Sequence, residues 1–532
     1  MARQLVIGVD SSTTSCKVIA WDRRGRAVAE GRAAYPTNNP RSGWYEQDAE
    51  LWWSSFCRAT TELFRAVSPG RIEALSISNQ RESIVAVDRD GSPLRPAILW
   101  LDERSAEQLG RLDRIVGRDR LHRISGKPLC MLPSLPKLLW MAENEAEIFS
   151  RAACFLEPHA FLVQRLIGRR LTSLACADPT GLVDMRAGRW SKELLRVLGL
   201  NEDRLPELKP PGEILGVVSG SAAAQSGLPA GLPVVAGAGD GQCSGLGAGV
   251  TGPQAAYLNM GTGVIGGFYS AEYRIDPAFR TLYAPLAGSY YLETVIQGGV
   301  FTVAWFVNKF ASELDKPWLP ASVEQLLEQG AADVPAGAEG LLLIPYWLSA
   351  LNPYWDPDAT GVMIGWRGDH GPQHFYRAIL EGIAYEQRLA TERVLDAGVA
   401  DFEEFRVVGG GSRSELWCRI MADTTGRPLA LCSHSEASAL GAGMLAATAA
   451  GWYENGRKAA EAMSASGLRY LPDQQNQKFY QRIYTEVYRK LFPATRRLVD
   501  RLSEIMRESK NESALRAGES EDSNTKLGEN KE

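Results

Sequence analysis

Asp240 stands in the run Gly-Ala-Gly-Asp-Gly-Gln, just after the apolar residues 233–236, where a strand should end and a helix begin. A helix N-terminus favours negative charge, and the flanking glycines leave room for a ligand beside the carboxylate. Helix-start statistics alone make it a capping residue; the glycine setting raises it to a candidate for chemistry. Near the start of the chain, the apolar run 5–9 ends in Asp10 and passes into Ser11, Ser12, Thr13 and Thr14 before a second apolar run, 17–21. That pattern predicts a β-hairpin whose bend gathers hydroxyls and backbone N–H groups beside a carboxylate, a setting suited to phosphate and metal. A second hairpin is predicted from 255–259 and 264–269, around the bend Met260-Gly261-Thr262-Gly263. Asn79-Gln80-Arg81-Glu82 follows the strand-like Leu-Ser-Ile-Ser, at a strand end where open α/β sheets bind ligands. Arg81 and Glu82 together can grip a polyhydroxy compound, although an adjacent Arg-Glu is more often a solvated ion pair. Trp100 and Asp102 resemble a sugar-binding pair, and a core tryptophan beside a capping aspartate is the rival reading.

The elements that must position these residues alternate between short apolar runs and helical stretches, among them a helix over 135–149, which is an α/β rhythm. The two hairpins suggest two related lobes, and the glycine-dense stretch 237–252 is the best place for their boundary. After Gly411 the pattern reads as helical segments, ending in an amphipathic stretch over 476–508 interrupted by Pro493. The last two dozen residues lack aromatics and are expected to be a disordered tail.

Composition narrows the classes. At 532 residues the chain is long enough for several domains of about 150 residues. With 45% hydrophobic and 23% charged residues it is an ordinary globular composition. A net charge of −5 is too small and too mixed to point to nucleic acid or a membrane surface. The eight cysteines form no CxxC pair and no His lies at metal-ligand spacing, so a reduced, cytoplasmic protein is expected. No segment approaches the ~20 apolar residues of a membrane span, and the N-terminus lacks a signal-peptide core.

Several motifs carry little. GxGxxG occurs at Gly247, Gly249 and Gly252 and again at Gly261, Gly263 and Gly266, but the residues after Gly263 read as a strand, whereas a dinucleotide fingerprint needs a helix there. A nicotinamide enzyme therefore ranks below a phosphate-binding hairpin. There is no P-loop, and the Ser-Lys pattern at Ser134 and Lys137 lacks its companion motifs and is taken as chance.

Together these segments resemble the FGGY carbohydrate kinases over about residues 4–490. One family signature runs through Leu132, Ser134, Lys137, Trp140, Glu143 and Asn144, with Leu132 as its one departure. A second runs from Gly361 through Met363, Gly365, His374, Phe375, Ala378 and Ile379 to Glu381, with Trp366 as its one departure. Most of the chain looks more like the xylulokinase branch, and the Asn-Gln-Arg-Glu-Ser segment more like the glycerol kinase branch. Xylulokinases usually carry Gln-Met-His where this chain has Gln80-Arg81-Glu82. Glycerol kinases usually carry Tyr at Leu132 and Gln at Gly241.

The resemblance implies an α/β fold of two actin-like, ribonuclease H-like lobes around a central ATP and substrate cleft. The N-terminal, acceptor-binding lobe is expected over 1–248, the C-terminal, nucleotide-binding lobe over 249–506, and the tail over 507–532. It implies ATP and Mg²⁺ as cofactors, with Asp240 taking the proton from a terminal hydroxyl and Asp10 holding Mg²⁺ through water. Thr13, Thr14, Gly261 and Thr262 would cradle the phosphates. Gly409, Gly410, Gly411 and Ser412 would pass close to adenine and ribose, and Arg81, Glu82, Trp100 and Asp240 would line the acceptor side. Ser12 replaces the family's usual glycine in the first bend, and Lys17 stands for its Arg or Lys. Losing the Tyr and the Gln should enlarge the acceptor site, which ranks a pentulose such as xylulose first, a tetritol or pentitol next and glycerol third. The partners expected are a small sugar or polyol, with no nucleic acid and no membrane, and a homodimer is left open. An actin-like ATP-binding switch or pseudokinase without an acceptor is the alternative class.

Overall fold

The computed structural model describes residues 4–311 and 322–528, with side chains described through residue 509 except at 507. Two mixed sheets dominate. In the first, the hairpin of Leu5–Ser11 and Ser15–Trp21 is extended by Ala27–Ala34 on one side. On the other side Ile72–Asn79 and then Pro233–Gly239 add in parallel, and Ile214–Val217 closes the edge antiparallel. In the second, the hairpin of Ala255–Met260 and Val264–Ser270 is extended by Tyr290–Ile296 and Arg280–Tyr283. Glu404–Val408 and Leu429–Cys432 add in parallel on its other side, and Ser466–Tyr470 closes the edge antiparallel. Apart from the extra edge strand Arg280–Tyr283 of the second sheet, the same order occurs twice, as expected from the two hairpins and from the actin-like resemblance. The parallel strands read as continuous apolar runs because helices cover both faces; every residue of Leu5–Ser11 is buried.

Helix Ala437–Ala449 belongs to the second half in sequence but packs on the first sheet and on helix Asp240–Gly247. Small residues permit this. A Cβ at Gly8 would lie 1.8 Å from the Ala439 carbonyl oxygen, and one at Gly441 would lie 2.0 Å from that of Cys243.

Three local expectations change. The helix expected over 135–149 is two helices, Ser134–Asn144 and Ala146–Arg151, separated at Glu145, whose φ of −132° and ψ of 48° leave the helical region. The region after Gly411 contains the strands Leu429–Cys432 and Ser466–Tyr470 as well as helices. The C-terminal helical stretch is interrupted before Pro493, by the π-turn Tyr484–Tyr488 that precedes helix Arg489–Gly528 and loosens the ladder where a proline must be accommodated. The stretch expected as a disordered tail over 507–532 is described as part of helix Arg489–Gly528 as far as Gly528, and residues 529–532 lie outside the described residues. All eight cysteines are free. No described helix is long and apolar enough to cross a membrane.

Candidate active site

The C-terminal ends of three parallel strands place the first group of candidates. In the sheet register Ser11 pairs with Asn79 and Gly239 pairs with the same Asn79. Asp10, the Arg81–Glu82 pair and Asp240 therefore emerge at one edge, as open α/β sheets require of a ligand site. Asp240 begins helix Asp240–Gly247, and its Oδ1 accepts from the Gly241 N–H at 2.7 Å. The strand leading to it is held from below. The Gly237 N–H donates to His159 Nε2 at 3.1 Å, and burial pushes that imidazole down to about 3, which keeps it neutral and able to accept.

Asp240 forms an ion pair with Arg81, Nε to Oδ1 at 2.8 Å, and its side chain remains 39% exposed. Arg81 is itself buried and shared. Its Nη1 donates to both oxygens of Glu293, at 3.0 and 2.8 Å. Arg280 donates to Glu293 Oε1 through Nε and Nη2, at 2.8 and 2.5 Å, and to Glu82 Oε1 through Nη1, at 2.6 Å. The Tyr257 hydroxyl donates to Glu293 Oε2 at 3.0 Å. Two guanidinium groups hold the Glu293 carboxyl down to about 2 although burial alone would raise it. Glu82 has a φ of 61°, in the left-handed region, at the centre of a tight turn in which the Ser83 N–H donates to the Arg81 carbonyl. The Ser134 hydroxyl donates to the Glu82 carbonyl at 2.9 Å. Lys137 uses its ammonium on the carbonyls of Met131, Leu132 and Pro133, which fixes the loop before the helix and explains the Ser-Lys pattern without any catalysis.

Trp100 is partly buried and reaches the first bend. Its indole N–H donates to the Thr13 hydroxyl at 3.0 Å, tying the acceptor edge to the first bend. Asp102 is a structural cap, accepting from the Tyr45 N–H and from Arg104 through two bonds of 2.8 Å.

In the first bend Asp10 is buried, with a Ser78 hydroxyl at 3.4 Å as its side-chain partner. Burial raises its carboxyl to about 7; Lys17 opposes the shift, and the negative charges of Asp240 and Glu436 add to it. Lys17, across the hairpin from Asp10, forms an ion pair with Glu436 at the start of helix Ala437–Ala449. Thr14 is exposed and Thr13 half-buried.

The second group is placed by the other sheet. Asn259 pairs with Val408, so the Gly261–Thr262 bend and the Gly409–Ser412 turn end side by side. Gly409 has a φ of 93°, and a Cβ there would meet Asn259 Oδ1 at 2.5 Å and the Met260 carbonyl oxygen at 2.7 Å. Gly410 has nothing nearer than 3.9 Å and forms the open face of the turn. The Ser412 hydroxyl caps the Gly409 carbonyl at 2.7 Å. Helix Val300–Phe306 abuts the bend, the Val300 and Phe301 N–H groups donating to the carbonyls of Gly261 and Thr262. Helix Asp240–Gly247 contacts both strands of this hairpin, and the Ser438 hydroxyl donates to the Asp240 carbonyl at 3.2 Å.

Sequence reasoning missed Glu293, Arg280 and Tyr257. The one local signal was a lone carboxylate inside the otherwise apolar strand Tyr-Tyr-Leu-Glu-Thr-Val-Ile. The enlargement expected at Gly241 is also corrected. A Cβ there would lie 2.7 Å from Glu293 Oε2 and 3.1 Å from the Arg81 guanidinium, so protein side chains already fill that space. Leu132 lines a cavity of about 160 Å³ with Cys130, Met131, Gln297, Ser349 and Leu351, and none of Arg81, Glu82, Trp100 and Asp240 borders it.

Residues 5–247 match the N-terminal domain of the FGGY family of carbohydrate kinases, and residues 256–450 match its C-terminal domain. A xylulose kinase of Bacillus subtilis is 30% identical over 497 residues, 93% of this chain and 97% of the relative. A gluconokinase of the same organism is 27% identical over 481 residues, 89% of this chain and 93% of the relative. The crystal structure of a xylulose kinase from Rhodospirillum rubrum superposes with a TM-score of 0.84 at 27% identity, covering 93% of this chain and all of that one. With two family domains that together span most of its length, the chain belongs to the FGGY family of carbohydrate kinases.

Proposed function

We propose that this kinase transfers the γ-phosphoryl group of ATP to a terminal hydroxyl of a neutral pentulose of the xylulose type. The observation that carries the reading is the half-exposed Asp240 carboxylate, fixed by Arg81 at a strand end beside Asp10. Asp240 accepts the proton of the acceptor hydroxyl as its oxygen attacks phosphorus. Thr13, Thr14, Gly261 and Thr262 offer hydroxyls and backbone N–H groups to the phosphates, and the Gly409–Ser412 turn offers a face free of side chains to the nucleoside. Phosphoryl transfer depends chiefly on such positioning and on charge stabilisation.

Asp10 suits Mg²⁺. It is a buried carboxylate with one weak hydroxyl partner, raised by burial and by two neighbouring acidic groups, and a cation would relieve that cost. Among the described residues no group of three His, Cys, Asp or Glu side chains could cage a metal. A cation at Asp10 would therefore keep water and phosphate oxygens as most of its shell, as Mg²⁺ prefers. Bound there, it would neutralise charge on the transferring phosphates.

Charge pairing separates a neutral sugar from a sugar acid. Arg81 and Arg280 are each matched to carboxylates, and Lys127 lies 3.6 Å from Asp178. Among the described residues of this cluster every cation is engaged, Lys137 on backbone carbonyls and the others on carboxylates, which argues against a gluconate-type acceptor. A coupled ADP-release assay with Mg-ATP tests this, using D-xylulose, L-xylulose, ribulose, erythritol, arabinitol, xylitol, gluconate, glycerol and no acceptor. D-xylulose or another pentulose should raise ADP release furthest above the blank. Efficient turnover of glycerol or gluconate with silence on every pentulose would overturn the substrate assignment.

A further inference from the structure

We propose that Glu293, with Arg280, is a positioning residue of the acceptor site: it sets the Arg81 guanidinium and the Glu82 carboxylate before the acceptor arrives and, through Arg81, orients Asp240. The proposal rests on the kinase reading above and adds to it two residues from the second sheet.

Glu293 lies at the middle of strand Tyr290–Ile296, directly opposite Arg280 on one side and Gly267 on the other. It is fully buried and faces donors from three other segments, Arg81, Arg280 and Tyr257. A buried ion cluster by itself is weak evidence of purpose, since apolar residues of the same volume often serve stability as well. Three features go beyond packing. First, Arg81 is divided between Glu293 and Asp240, so the Glu293 charge fixes where the guanidinium lies and how it meets the aspartate. Second, the backbone has been cleared for the cluster. A Cβ at Gly239 would strike the Arg81 stem at 2.5 Å, and one at Gly241 would strike Glu293 at 2.7 Å. Third, Glu82 is held at a φ of 61°, a conformation that persists only where its surroundings impose it, and the Arg280 bond to its carboxylate is one of those constraints. Because Glu293 and Arg280 come from the second sheet and Arg81 and Glu82 from the first, the acceptor wall is assembled only with both sheets in place.

Steady-state kinetics of Glu293→Gln, Glu293→Asp and Gly241→Ala in the full chain, with D-xylulose and ATP each varied and Tm recorded, test the role. Removing one partner of a buried charged pair leaves the other charge without its counterpart. Glu293→Gln is therefore expected to lower kcat/KM for the acceptor by ~10²-fold or more, with KM for ATP within about twofold of the parent. Glu293→Asp keeps the charge and should recover about tenfold of that loss. Gly241→Ala leaves both ionic partners in place and serves if Glu293→Gln does not fold; it should reduce acceptor kcat/KM while sparing ATP. Parent-like acceptor kinetics in Glu293→Gln would overturn the role. So would parallel losses for acceptor and ATP that follow Tm, which is what a purely structural residue gives. If the parent enzyme turns over no acceptor at all, the kinase reading falls and this role falls with it, an outcome distinct from an active parent with indifferent variants.

Discussion

The proposed acceptor side and the proposed nucleotide side of this kinase are built from opposite materials. The acceptor side is a lattice of charged side chains, Asp240, Arg81, Glu293, Arg280 and Glu82, each held by at least one partner of opposite charge. The nucleotide side is backbone and small hydroxyls, the Gly261–Thr262 bend and the Gly409–Ser412 turn, where a Cβ at Gly409 or Gly411 would strike its neighbours. The contrast suits the ligands proposed for each side. A triphosphate is recognised by N–H groups and a planar base by close approach, which favour bare backbone. A small polyol offers only hydroxyls at fixed spacing, and these are distinguished by side chains whose geometry is set in advance.

The largest expected effect breaks the acceptor side alone. Asp240→Asn removes the proton acceptor while keeping the size of the side chain and its place at the helix start. Turnover should fall ~10²–10⁴-fold, the usual contribution of a general base. Nucleotide affinity, measured by titration of a fluorescent ATP analogue, should stay within a few-fold. Near-normal turnover would remove Asp240 from that role, and loss of nucleotide binding would show that the two sides are not separable.

Asp10 stands where the two sides meet, and its effect is on stability as well as activity. The fold raises this carboxyl from 3.8 to about 7. A raised carboxyl contributes stability that is fully present below about pH 4 and lost as pH rises through about 7, because the fold favours the protonated form. Without ligand, Asp10→Asn should therefore melt higher than the parent at pH 8, by as much as ~4 kcal/mol in stability, and the difference should vanish near pH 4. The same variant should lose the rise in Tm that Mg-ATP gives the parent. A parent-like melting curve across that range would mean that Asp10 carries no such burden.

The nucleotide side can be tested by two neighbouring glycines. Gly409→Ala meets Asn259 and Met260 within 2.7 Å at a φ of 93° and should cost about 2 kcal/mol in stability, with KM for ATP raised ~10-fold. Gly410→Ala points into open space and should leave Tm unchanged. A raised KM for ATP in Gly410→Ala with Tm intact would sharpen the assignment of that face to the nucleoside.

This contrast also explains what could be read from sequence. The proposed nucleotide side is local: each bend is one hairpin or one strand-to-helix turn, so the pattern of hydroxyl and glycine after an apolar run marked Asp10, Thr13, Thr14, Gly261 and Thr262 as candidates, the family resemblance added Gly409, and the repeated hairpins foretold the repeated sheet. Asp240 was legible for the same reason, as a carboxylate among glycines where a strand becomes a helix. The acceptor side depends on pairing between distant segments. Glu293 is 212 residues from Arg81 and Arg280 is 198 from Glu82, and no local pattern reports such a partner. The inferred space at Gly241 failed for that reason, since the missing side chain is replaced by one from another strand. The hydrogen bond from Trp100 to Thr13, 87 residues away, is likewise a link that no local pattern reports.

The smallest expected effect concerns the one ionic contact on the phosphate side. Lys17 and Glu436 are both partly exposed, at 14% and 26% of the side chain, and such pairs contribute about 0–1 kcal/mol to stability. Glu436 therefore has little to give the fold, yet it occupies the one ammonium of the first bend and adds negative charge beside Asp10. Phosphates arriving at that bend would compete with Glu436 for Lys17 and be repelled by the carboxylate. Glu436→Gln removes both obstacles at nearly constant volume. KM for ATP should fall about two- to threefold with Tm within a degree or two of the parent, an electrostatic gain that should shrink as ionic strength rises. A rise in KM for ATP would instead make Glu436 an orienting partner that Lys17 needs, and the phosphate side would then share the preset ionic character of the acceptor side.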